Sequence, residues 1–113
     1  MTGIDGFHAH VYFSEETAEQ ARLLCEAARD RFGAVMGRMH RRPVGPHPVW
    51  SCQLAFPPAL FGTLVPWLAL NRDRLVVFVH PETGDALADH TRHALWMGQM
   101  LPLDLAALQP ADG

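Results

Sequence analysis

The chain has no lysine. Its basic residues are all arginines, and apart from Arg41-Arg42 they are scattered. With a formal charge of -3 and a pI near 6.1, no basic stripe is left to track a phosphate backbone, and a nucleic-acid partner is not expected. There is no apolar run long enough to span a bilayer. Met1 to Gly6 lacks the basic and apolar regions of a secretory signal, so a cytoplasmic protein with no membrane partner is expected. Only two cysteines occur, Cys25 and Cys52. They are far apart, match no metal or redox spacing, and fall on apolar positions, where buried free thiols are expected. Linkers, repeats and low-complexity stretches are also missing. A length of 113 residues therefore reads as one domain, 1–113, able to bury a core without disulfides or structural zinc.

What the chain has in excess is histidine, seven residues in all. Most sit in dense phrases: Phe7-His8-Ala9-His10-Val11-Tyr12, Gly45-Pro46-His47-Pro48, Val79-His80-Pro81 and Asp89-His90-Thr91-Arg92-His93. Imidazole is the commonest protein ligand for transition metals and titrates near neutral pH, so a metal or proton-transfer site is the first functional candidate.

Periodicity predicts the elements. Residues 7–13 alternate, with Phe7, Ala9, Val11 and Phe13 on one side and His8, His10 and Tyr12 on the other, as in a strand. Ser14 and the acidic pair Glu15-Glu16 suit a helix start. Ala18, Ala21, Cys25, Ala28 and Phe32 make an apolar stripe, and Gly33 is a C-terminal cap. A second strand is expected over 34–42, a turn at 43–46, and a third strand over 47–56. Pro57-Pro58 opens a second helix, which Pro66 kinks or restarts, and Asn71 ends it. The apolar stretch 75–80 reads as a buried fourth strand. A short helix is expected between Asp89 and Gly98, followed by one more apolar element over 101–108.

This order gives an α+β fold, a ferredoxin-like βαββαβ sandwich. It has a four-stranded antiparallel sheet, two helices on one face and a C-terminal helical extension. The helices should cover Phe7, Ala9, Val11, Trp50, Cys52 and Leu54. The other face should carry His8, His10, Tyr12, His47, Ser51, Gln53, Phe78 and His80. On a strand, His8 and His10 have Cα atoms about 6.5 Å apart. His80, at the end of an antiparallel neighbour, should lie beside His8. His8, His10 and His80 thus form a possible three-nitrogen metal set. His47 is a weaker ligand candidate and a fair acid/base or substrate contact. His90 and His93, one turn apart, read as rim residues. Arg72 and Arg74 either bond helix carbonyls or hold a substrate carboxylate through the guanidinium fork. Val49, Val76 and Phe78 would leave a mixed apolar patch on the histidine face, which a two-fold partner would cover.

Five phrases taken together carry a resemblance. They are Phe7-His8-Ala9-His10-Val11-Tyr12-Phe13, Pro43-Val44-Gly45-Pro46-His47-Pro48, Trp67-Leu68-Ala69-Leu70-Asn71-Arg72, His80-Pro81-Glu82-Thr83-Gly84-Asp85, and Asp89-His90-Thr91 with Trp96-Met97-Gly98. In this order, from about residue 7 to residue 104, the chain resembles the DOPA 4,5-dioxygenase family. The resemblance implies a homodimer of small ferredoxin-like subunits. It also implies extradiol cleavage of DOPA or a related catechol, with iron(II) and O2. On that reading His8, His10 and His80 are the metal ligands, and His47 or His90 is the acid/base. Tyr12 and Arg72 contact the substrate, with Arg72 steadying a carboxylate. Glu82 is the carboxylate nearest in sequence to the ligands. Zinc or another divalent ion is expected to compete for the site during purification. Two other readings suit the same residues: a non-catalytic dimer that binds a metal or an aromatic ligand, and a cofactor-independent monooxygenase or isomerase with a histidine base.

Overall fold

A computed structural model describes residues 3–108. It contains one antiparallel sheet with strands β1 (Gly6–Phe13), β2 (Val35–Met36), β3 (Trp50–Phe56), β4 (Val76–Glu82) and β5 (Leu95–Met97), in the order β2-β3-β1-β4-β5. Helices α1 (Ala18–Phe32) and α2 (Phe61–Asn71) follow β1 and β3, and a single-turn helix α3 (Ala86–Asp89) follows β4.

The alternation of β1 sets the layers. Ala9, Val11 and Phe13 are buried against Cys52, Leu54 and Phe56 of β3 and Val77 and Val79 of β4. Ala18, Ala21, Leu24, Cys25 and Ala28 of α1 and Leu64, Val65 and Leu68 of α2 close this layer. Both cysteines are buried and free. Gly33 ends α1 at φ 80°, the left-handed conformation that glycine adopts without a Cβ penalty. The imidazoles of His8, His10 and His80 lie on the opposite side of the sheet.

Several expectations need correction. The sheet has five strands rather than four. Where a helix was expected between Asp89 and Gly98, α3 ends at Asp89 and the chain turns into β5, which pairs Trp96 with Phe78. The second strand keeps only Val35–Met36, with one further bridge between His40 and Ser51. The third strand starts at Trp50, not at His47. Pro46 and Pro48 flank His47, and proline has no N–H to give to a ladder, so His47 stands on a loop. Helix α1 begins at Ala18 because Ser14 and Thr17 close a turn of their own, Ser14 N–H donating to Thr17 Oγ1 at 2.9 Å. Helix α2 runs through Pro66, whose ring faces outward. Phe78 is fully buried and its ring lies 4.3 Å from that of Trp96, so this part of the expected apolar patch is covered within the chain, while Val49 is exposed and Val76 half-buried. The expected C-terminal element is a 3-10 turn, Leu105–Leu108.

The loop between β4 and α3 is held by a buried carboxylate. Asp89, 1% exposed, accepts from Thr83 N–H at 2.8 Å and from Thr83 Oγ1 at 2.6 Å. Asp85 caps α3 by accepting from Ala88 N–H at 3.1 Å. Hydrogen bonds to a charged acceptor contribute about 1.5–3 kcal/mol. Asp89→Ala should therefore lower stability by about that much, read as a lower urea midpoint at unchanged slope.

Candidate metal centre

In the ladder between β1 and β4, His8 stands directly opposite His80, His10 opposite Phe78, and Tyr12 opposite Val76. Alternation points His8, His10 and Tyr12 the same way, so two central strands deliver three imidazoles to one place. One ring nitrogen from each of His8, His10 and His80 lies within 4.8 Å of the others. His10 Nε2 and His80 Nε2 are 3.0 Å apart. Two nitrogens bound at a right angle to one ion, each at about 2.1 Å, are separated by about 3.0 Å. The donor set thus fits a divalent transition ion, and among the described residues no other group of three histidines, cysteines or carboxylates converges in this way.

Outer contacts fix the rings. His80 Nδ1 lies 2.9 Å from the carbonyl of Pro81. A carbonyl only accepts, so Nδ1 carries the hydrogen and Nε2 presents its lone pair, as a ligating histidine requires. His8 Nε2 lies 3.2 Å from Glu82 Oε1, and donation to that carboxylate frees Nδ1 of His8. The other Glu82 oxygen is 3.9 Å from His80 Nδ1. Glu82 therefore sits behind the imidazoles as an orienting partner.

His47 reaches the same face from its loop. Its ring centroid is 4.0 Å from that of His10, and its Nδ1 is 2.7 Å from Tyr12 Oη. With the phenol as donor, His47 Nε2 holds a hydrogen. With His47 Nδ1–H as donor, Nε2 is free to take one. Tyr12 is buried, with its hydroxyl against His47. His90 follows α3, donates from Nδ1 to the Ala86 carbonyl at 2.7 Å, and places its ring 4.0 Å from that of His80. Its Nε2 is left as the lone-pair nitrogen. Phe78 and Trp96 form an apolar wall beside these rings. Trp96 was not foreseen as part of the site because the segment was read as helix. His40, Ser51 and Gln53 border a small cavity of about 180 Å³ next to His10 and His47. His93 is exposed and lies away from the ligand set. Arg72 caps α2. Its Nη1 donates to the carbonyls of Asp73 and Leu75, at 3.2 and 3.1 Å, and would meet a Cβ at Gly98 at 2.7 Å. It contributes nothing to the imidazole cluster itself.

Burial dominates the electrostatics. It holds His10 well below the usual imidazole range, helped by His47, His80 and the other rings. It pushes His47 and His80 down to about 4, with His90 adding to the effect in both and the Pro81 carbonyl opposing it at His80. His8 is lowered by burial against the opposing pull of Glu82. Burial raises the Tyr12 phenol. At neutral pH His8, His10, His47 and His80 are therefore uncharged, the form that binds a metal. For the metal-free protein the sign is fixed. These groups take up protons on unfolding, so their contribution is complete above about pH 6.5 and is lost as pH falls from there toward about 4. Urea unfolding of the stripped protein should show stability falling through that window, by up to about 1.4 kcal/mol per pH unit for each such histidine.

The sequence profile of the Dopa 4,5-dioxygenase family matches residues 7–107. An uncharacterised 21.2 kDa protein of Botryotinia fuckeliana is 39% identical over 96% of this chain, and a DOPA 4,5-dioxygenase of Amanita muscaria is 36% identical over 93% of it. The chain spans 66% and 50% of the lengths of these two relatives. A crystal structure of a candidate dioxygenase from Nostoc punctiforme superposes with a TM-score of 0.82 at 44% identity, covering 94% of this chain and 92% of that one. No helix among the described residues is long and apolar enough to cross a membrane.

Proposed function

Because the chain belongs to the Dopa 4,5-dioxygenase family, we propose that it is a metal-dependent extradiol dioxygenase that opens the ring of a catechol with O2. The observation that carries this reading is the meeting of His8, His10 and His80, with the two Nε2 atoms at 3.0 Å. Three neutral donors leave coordination positions for substrate and O2. Iron(II) is the ion proposed. When bound, it supplies the redox centre that lets dioxygen react with a closed-shell aromatic ring.

The chain's own residues do the rest. A catechol must shed hydroxyl protons to bind and react. His47 Nε2, with its ring against His10 and Nδ1–H directed at Tyr12, is placed to take one. His90 Nε2 offers a second acceptor on the other side, over His80. Trp96, packed over the buried Phe78, offers an apolar surface to the ring. Both atoms of O2 enter the ring-opened product, so no external reductant is needed.

The test is anaerobic loading with iron(II), followed by oxygen uptake with a panel of catechols. Loaded protein should consume oxygen and form a coloured ring-opened product, and a chelator should abolish this. Fully loaded protein that consumes no oxygen with any catechol overturns the reading. Turnover that survives the chelator overturns it in favour of a histidine base acting without metal.

A further inference from the structure

A cleft of about 460 Å³ opens beside the ligand set, between the His90–Trp96 floor and the segment that carries Leu101, Pro102, Leu103 and Leu105. It is separated from the three clustered histidines by a single ring: His90 packs at a tilt against His80 with centroids 4.0 Å apart, while Trp96 packs against Phe78. The covering segment is tied down where Asp104 N–H donates to the Pro46 carbonyl at 2.9 Å, so the cleft exists before any ligand arrives. Among the described residues no arginine, aspartate or glutamate lines it, and the chain has no lysine. Arg72, the family-based candidate for a carboxylate clamp, spends Nη1 on two backbone carbonyls.

We infer that this cleft receives an uncharged, apolar substituent of the ring substrate, so that the preferred catechols carry an alkyl or aryl group in place of an amino-acid side chain. This rests on the metal-centre reading above and narrows its substrate. A catechol ring held at the imidazoles projects a ring substituent past His90 into the cleft. There an alkyl group meets leucine, proline and indole surface, which rewards burial. A carboxylate and an ammonium would give up water and find no countercharge among the described lining, only the Thr91 hydroxyl and the His90 ring, which is unfavourable.

The experiment measures binding without turnover. Protein loaded with zinc, which has no redox chemistry, is titrated calorimetrically with catechol, 4-tert-butylcatechol and 3,4-dihydroxyphenylalanine. The tert-butyl compound should bind at least roughly tenfold more tightly than catechol, and the amino acid no more tightly than catechol. Leu103→Arg should remove the tert-butyl advantage and leave zinc content and catechol affinity unchanged. Should that variant fail to fold, Leu105→Ser, on the exposed 3-10 turn, should cut the advantage at least threefold. An amino acid that binds as tightly as the tert-butyl compound overturns the inference and leaves the metal-centre reading standing. So does a tert-butyl advantage that survives the variants, as it would if the cleft holds a segment of a second copy of the chain. Failure of all three compounds to bind overturns both.

Discussion

His10→Ala should strip the protein of its metal and, with it, of ring-opening activity. His10 supplies one of the two Nε2 atoms that stand 3.0 Å apart. Its ring also lies between those of His47 and His80, with centroids 4.0 and 5.1 Å away. Loss of an outer-shell partner commonly weakens a metal site by about 10–100-fold, so removal of a ligand should exceed the upper end of that range. The measurement is metal per chain after dialysis against a competing chelator, alongside oxygen uptake. Thermal unfolding of both metal-free proteins separates loss of ligation from loss of fold, because the substitution also empties a buried site. Retention of both metal and activity would remove His10 from the centre.

His47→Ala should give the opposite split. Metal content stays, while kcat falls by about 10²–10⁴, the usual contribution of a positioned acid or base. His47 is absent from the converging set of nitrogens and reaches the face from a loop. Tyr12 provides the internal comparison. Tyr12→Phe keeps the imidazole and removes only the 2.7 Å bond at Nδ1, so its loss of rate should be smaller than that of His47→Ala. Metal loss in His47→Ala would make His47 a ligand. An unchanged rate would make it a bystander.

The centre was legible in the sequence because strand alternation is unambiguous there. Phe7 to Phe13 has period two, which fixes the side of the sheet on which His8 and His10 stand, and the antiparallel return puts His80 beside His8. The ladder places them directly opposite. The surroundings of the centre were harder to read. Leu95–Met97 is too short for periodicity, and it becomes a strand only because β4 offers a free edge beside it. Its Trp96 is what buries Phe78. The start of α3 did carry a signal, since Asp85 is followed three residues later by the Ala88 N–H that it caps. The proline on each side of His47 also marked a loop. The long second strand failed because pairing along the β3 edge lapses after Gly37, whose N–H still donates to the Gln53 carbonyl, and resumes only at the His40 bridge. The Asp89 clamp has no sequence signature, since an aspartate near a turn reads first as a surface residue.

Both strands that carry the imidazole cluster have hydrogen-bonded neighbours on each side, β1 between β3 and β4, and β4 between β1 and β5. Their backbone amides cannot reach solvent by fraying at an edge. In deuterium exchange, the amides of residues 8–10 and 78–80 that belong to these ladders should be among the slowest in the molecule, opening only when the whole domain does. An ion held at the centre would then exchange without backbone motion, past the half-buried side chains of His8 and Glu82. The protein should therefore release its ion far faster than those amides take up deuterium.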